Sequence, residues 1–134
     1  MATKRLKLED FIAPTLLDEP TKLFITLDGK KTKEYLLIIG STHPDLKRPI
    51  ASYGVNINKL KKECNDIKDE IDKVIEFSEG EKQVNKDLAS KMVVGWSLGD
   101  FDASLLDSLL KDNEALVSGI QAHSFTVGNY IKKK

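Results

Sequence analysis

The hydrophobic period of this chain changes once, at Gly40, and that change limits the folds open to it. Before Gly40, "KLFITL" and "EYLLIIG" are short runs rich in β-branched and aromatic residues. Such runs suit pleated, half-buried strands. The connector between them begins with Asp28-Gly29, a pair that accepts the positive φ of a tight turn. The reading is a β-hairpin over residues 21–40. Two strands alone are marginal in water, so the hairpin has to dock on helices or on another copy of itself. After Gly40 apolar residues recur at helical spacing, and residues 41–134 read as about four helices. The expected fold is therefore α+β, mainly α, with a hairpin leading into a helical bundle.

Several helix limits follow from local chemistry. Thr42 and Asp45 have capping-box spacing, but Pro49 should end a helix begun there within about a turn or kink it. Ile57, Leu60, Cys64, Ile67, Ile71 and Val74 form one 3-4-3-4-3 seam, which predicts a helix over about 56–78. In "SEGE", Ser78 as N-cap and Glu81 three residues on predict a second helix, antiparallel to the first, through Val84, Leu88 and Met92 toward Trp96. Gly95 and Gly99 weaken helix propagation. Asp100 or Asp102 then caps a short helix bearing Leu105, Leu106, Leu109 and Leu110, and Asp112 or Asn113 caps a last one with Leu116, Val117, Ile120 and Phe125 on its apolar face. Lys132, Lys133 and Lys134 fall at the negative end of that helix. Trp96, the only tryptophan, is expected where three helical segments meet, as a packing plug or a partner contact.

Length fits one domain: 134 residues bury a real core but not two independent ones. Residues 1–20 carry Pro14 and Pro20 and an apolar cluster that includes Phe11 and Ile12. They read as an arm, and Phe11 and Ile12 as candidates for self-association. Lys and Arg number 21, as do Asp and Glu, so the chain is not built to neutralise a phosphate backbone. Nucleic acid is not an expected partner. The charge is uneven, however: residues 41–62 carry five basic side chains and one acidic, and residues 92–131 one basic and five acidic. That asymmetry suits head-to-tail self-association. No apolar run reaches the roughly 18 residues of a membrane span, and the N-terminal residues lack the apolar core of a secretion signal. Membrane is not an expected partner, and a reducing cytoplasm is the expected compartment.

Catalytic chemistry finds no motif. There is no phosphate-binding glycine loop, no zinc-protease helix, no C-x-x-C and no nucleophile elbow. His43, His123 and Cys64 lack ligand spacing, so no metal or other cofactor is expected. Cys64 lies on the apolar seam, where it acts as a small hydrophobe. Asp66, Asp69, Glu70 and Asp72 alternate with lysines and read as a solvated face rather than a catalytic cluster. The expectation is a protein that is not an enzyme.

One resemblance bears on function. Val93, Val94, Gly95 and Trp96, then Phe101, Leu106, Leu109 and Leu110, then Asn113, Ile120, Asn129 and Tyr130 form a spaced pattern. It resembles the C-terminal part of tail assembly chaperones of long-tailed bacteriophages, and "YLLIIGSTHPDLKRPIA" is similar to the strand, glycine and short helix upstream in the same family. Tyr130 stands where that family more often has Phe, and the arm has no clear counterpart there. The resemblance implies a chaperone that binds and solubilises the tape measure protein before the tail tube polymerises, and that the tube protein then displaces. It implies residence in the host cell cytoplasm and absence from the mature virion. Trp96, Phe101, Leu105, Leu106, Leu109, Leu110 and Tyr130 form the candidate partner-binding or structural corner. Two other classes stay open: a small helical DNA-binding regulator or antitoxin-type module, for which "KLKKECNDIK" is the nearest basic helix, and a virion completion protein.

Overall fold

The computed structural model describes residues 5–8 and 18–131. Phe11, Ile12, Pro14 and Lys132 to Lys134 lie outside the described residues. The architecture is mainly helical, with a three-stranded antiparallel sheet in the order β1 (Thr21–Leu27), β2 (Lys30–Ile38), β3 (Val93–Trp96). Asp28 at φ 52° and Gly29 at φ 78° form the two-residue turn that closes β1 onto β2. Positive φ at both central positions matches the right-handed twist of the flanking strands. Register sets Leu23 against Leu36 and Thr21 against Ile38, so those residues share one face. That inner face buries Leu36 and Ile38.

The third strand corrects the sequence reading. Val93, Val94, Gly95 and Trp96 continue directly from a helix into a strand on β2, pairing Trp96 with Leu36 and Gly95 with Leu37. Trp96 thus belongs to a sheet edge and not to a break between helices. The cause is the β-branched pair Val93-Val94 beside the unpaired edge of β2, where a strand satisfies backbone groups that a fraying helix end would leave open.

The helices also differ in their limits. Pro44–Leu46 forms a 3₁₀ turn in which the His43 imidazole, rather than Thr42, accepts from the Asp45 amide at 3.1 Å. Helix α1 runs from Lys47 to Asn65 without a break at Pro49. Pro49 is its third residue, where the missing amide would have had no intrahelical partner. Helix α2 runs from Glu70 to Met92. The expected helix over 56–78 is therefore two helices, and Ser78 and Glu81 lie inside α2 rather than at its start. The cap is Asp69, whose carboxylate accepts from the amides of Ile71 at 2.9 Å and Asp72 at 3.0 Å. The apolar spacing gives no sign of this break because Ile67 and Ile71 stay in phase across it.

Helices α1 and α2 form an antiparallel pair. The start of α1 lies beside the end of α2 along a groove lined by Arg48, Tyr53, Asn56, Val84, Leu88 and Lys91. Further along, Leu60 fills the space over Gly80, where an added Cβ would come within 2.5 Å of it. Helix α3 (Ala103–Leu110) and helix α4 (Glu114–Phe125) complete the chain, with a 3₁₀ turn at Val127–Tyr130. Their caps are Asp102 and Asn113, one of the two candidates that the sequence offers at each position. Helix α4 ends at Phe125.

The core sits where the sheet meets α3, α4 and the second half of α2. Leu36, Ile38, Leu46, Leu88, Ala89, Met92, Leu106, Leu110, Val117 and Ile120 are buried together. Each fully buried Leu or Ile contributes about 1.5–3 kcal/mol, so this base carries most of the stability. Polar ties fix its geometry: Ile39 donates to the Met92 carbonyl at 2.9 Å, and the buried Ser124 hydroxyl donates to the Ile39 carbonyl at 2.8 Å. No helix among the described residues is long and apolar enough to cross a membrane.

Candidate functional site: an exposed apolar corner

Strand β3 and the turn into α3 build the corner from backbone and caps. Tyr35 donates its amide to the Ser97 hydroxyl at 2.8 Å, and that hydroxyl donates to the Glu34 carboxylate. The Ser97 amide returns a bond to the Tyr35 carbonyl at 3.0 Å. The chain then turns, and the Asp102 carboxylate starts α3 by accepting from Ser104 at 2.7 Å and Leu105 at 3.2 Å. Between these anchors the Phe101 ring meets the Trp96 ring edge-on, 5.0 Å between centroids and 72° between planes. Such a T-shaped pair gains about 0.5–1.5 kcal/mol beyond its burial and holds the turn against the sheet.

Around this ring pair, apolar side chains remain in water. Val94 is 45% exposed, Leu98 45%, Phe101 42% and Leu105 58%. Four large apolar residues within residues 94–105 are thus exposed, and Phe101 is tied to Trp96 beneath it. The Trp96 indole is half-buried against the core, and its Nε1 donor is enclosed without a hydrogen-bond partner.

The candidate corner residues divide. Phe101 and Leu105 are on the exposed surface, and Trp96 supports it from beneath. Leu106, Leu110 and Tyr130 are in the core, and Leu109 is half-buried against it. Tyr130 packs at the exit of β2 instead: its hydroxyl donates to the Ile38 carbonyl at 2.8 Å, and its ring lies over Gly40, where an added Cβ would sit 3.0 Å from it. Burial pushes its phenol above the usual tyrosine range. Val94 and Leu98 are the residues the sequence reading missed. Alternation of exposed Val94 between buried Val93 and Gly95 is the signal, legible once the segment is read as a strand.

Other candidate chemistry is dispersed. No group of three His, Cys, Asp or Glu among the described residues could hold a metal ion. His43 caps the 3₁₀ turn, whereas His123 lies 2.6 Å from the Thr21 hydroxyl and meets the Asn129 amide at 3.3 Å. Cys64 is a buried free thiol in α1. A groove of about 570 Å³ between α2, α3 and α4 is bridged by Lys82–Glu114 at 3.1 Å and Lys86–Asp107 at 2.8 Å. Those pairs hold the helices together and leave no convergent reactive groups. Asp66, Asp69, Glu70 and Asp72 are exposed, Glu70 lies 3.6 Å from Lys73, and Asp69 is spent on the helix cap. Comparison with family models, with curated proteins and with solved structures returns no match.

Proposed function

We propose that this chain is a non-enzymatic chaperone that holds an amphipathic helical client on the exposed corner, in the manner of the tail assembly chaperones of long-tailed bacteriophages that its sequence resembles. The client would be a tape measure protein, held in the host cell cytoplasm until the tail tube protein polymerises and displaces the chaperone, which is then absent from the mature virion. The observation that carries this reading is the rigidly supported apolar group Val94, Leu98, Phe101 and Leu105, left in solvent at 42–58% exposure. Apolar anchors at the spacing of one helix face fill such a surface, and its modest size favours release over permanent assembly.

The test is coexpression with a tape measure protein followed by copurification. Leu98→Asp, Phe101→Asp and Leu105→Asp should each abolish capture while helical circular dichroism stays that of the parent. Capture unaffected by all three, or a parent that neither captures nor solubilises the client, would remove the corner from function. Recovery of the chain in finished particles would favour a completion protein instead.

A further inference from the structure

Helix α2 presents two different surfaces along one line. At about 100° per residue, Ile71, Val74, Ile75 and Ser78 lie within about 60° of the line through Lys82, Asn85 and Ala89. Over its second half that line is covered by α4: Glu114 reaches Lys82 at 3.1 Å, and Gln121 donates to Asn85 at 3.1 Å. Helix α4 begins at Glu114, so nothing among the described residues continues the cover beyond Lys82. Ile71 is 72% exposed, Val74 66% and Ile75 51%. The stripe is the unpaired continuation of a helix–helix seam.

Charge around the stripe selects its occupant. Residues 69–81 carry six carboxylates, Asp69, Glu70, Asp72, Glu76, Glu79 and Glu81, against the single Lys73. Two such stripes from two copies would set acid against acid, which disfavours α2 pairing with itself. The complementary chemistry is a short segment with apolar residues among cations. This chain has one in "KRLKL", residues 4–8, where Leu6 is 64% and Leu8 81% exposed. Among the described residues of one copy both apolar partners are therefore left in water.

We propose that the α2 stripe seats the segment of residues 5–8 of a second copy. Leu6 and Leu8 would cover Ile71, Val74 and Ile75, with Arg5 against the acidic rim. The contact joins two different surfaces, so it propagates head to tail and builds a chain of subunits or a ring. This assignment uses a surface separate from the corner and stands whether or not a tape measure protein is the client.

Sedimentation velocity of the full chain across a concentration series tests it at low and high salt. The parent should gain mass with concentration, less so in high salt. Leu6→Ser/Leu8→Ser and Val74→Ser/Ile75→Ser should each raise the association midpoint at least tenfold without loss of helical signal, since all four positions are solvent-exposed. Arg5→Glu should weaken association, and so should Asp72→Lys/Glu76→Lys, while an equimolar mixture of the two should associate better than either alone. A parent that stays monomeric, variants that associate like the parent, or a mixture that restores nothing would each overturn the proposal. A monomer that captures a tape measure protein through Val74 and Ile75 would overturn it too, by giving the stripe to the client.

Discussion

The two halves of α2 make one helix live in two environments. From Leu88 to Met92 it lies in the base, where Leu88, Ala89 and Met92 are buried between the sheet and α4. From Glu70 to about Ser78 it belongs to a two-helix hairpin that α1 alone supports among the described residues, and Ile71, Val74 and Ile75 face solvent. Apolar spacing does not separate them, since both halves carry apolar residues at helical intervals. What separates them is whether another element is long enough to arrive, and α4 is one helix of 12 residues that starts too late. An apolar stripe that helical spacing predicts is thus a core face at one end and a surface at the other.

The largest test of this contrast is truncation along the shared stripe. Met92→Ala removes a fully buried side chain and should cost about 2–5 kcal/mol. Ile75→Ala, on the same helix, should change stability by no more than about 0.5 kcal/mol. Denaturant unfolding of both variants measures the difference, and comparable losses would mean that the first half of α2 is covered after all.

Trp96 sharpens the contrast from the other side of the base. Trp96→Ala should cost about 3 kcal/mol, the lower end for a large aromatic, because the ring is only half-buried. Trp96→Phe keeps the ring contact with Phe101 and removes the unpaired Nε1 donor, so it should lose less than about 1 kcal/mol. Thermal unfolding of the pair separates packing from polarity. If Phe were as damaging as Ala, the indole nitrogen would have a partner that matters to the fold.

A smaller effect is expected where the hairpin turns. Asp69→Ala removes the carboxylate that accepts from Ile71 and Asp72, and should cost about 1 kcal/mol. Asp69→Asn keeps an equivalent acceptor and should stay within a few tenths of a kcal/mol. Glu70→Gln, in an exposed pair with Lys73, should do no more. Amide exchange should place the Asp69→Ala loss in the hairpin tip and spare the base. A loss spread evenly through the chain would instead make hairpin and base one cooperative unit.

These residues also show how far the sequence could be read. Asp102 and Asn113 were legible as caps because a cap is a local exchange between one side chain and the next two or three amides. Asp69 does the same work but was hidden, since Asp66, Asp69, Glu70 and Asp72 look alike as charges and the apolar phase runs through them unbroken. The hairpin turn was legible for the same local reason as the caps, whereas β3 was not, because its four residues leave α2 with no turn signal and its partner strand ends 55 residues before it begins. The corner was half legible. Phe101 and Leu105 were recognised as apolar, but which leucine faces the core depends on where the sheet stands, and that sends Leu106 and Leu110 inward and Leu105 outward. Tyr130 joined the core for a reason no spacing carries: the backbone of Gly40, far away in sequence, leaves room for its ring.

The finest test of the contrast is pH, because the base contains a titrating link that the hairpin lacks. His123 joins β1 to the C-terminal turn, 2.6 Å from the Thr21 hydroxyl, with the Asn129 amide on its other nitrogen and the Tyr130 ring 6.0 Å away. Partial burial lowers its pKa from the ordinary 6.5, because the charged ring loses solvation. The unfolded chain therefore binds the proton more readily than the folded one. Its contribution to stability is complete above pH 6.5 and is lost as pH falls through the lowered folded value. Protonation also removes the acceptor that faces Asn129. Exchange at β1 and the Val127–Tyr130 turn should rise between pH 7 and pH 5, about the span over which histidine titrates, relative to the tip of the α1–α2 hairpin. His123→Gln should flatten that dependence. An unchanged profile in the variant would show that acid acts on this fold elsewhere, and would leave the base and the hairpin distinguished by packing alone.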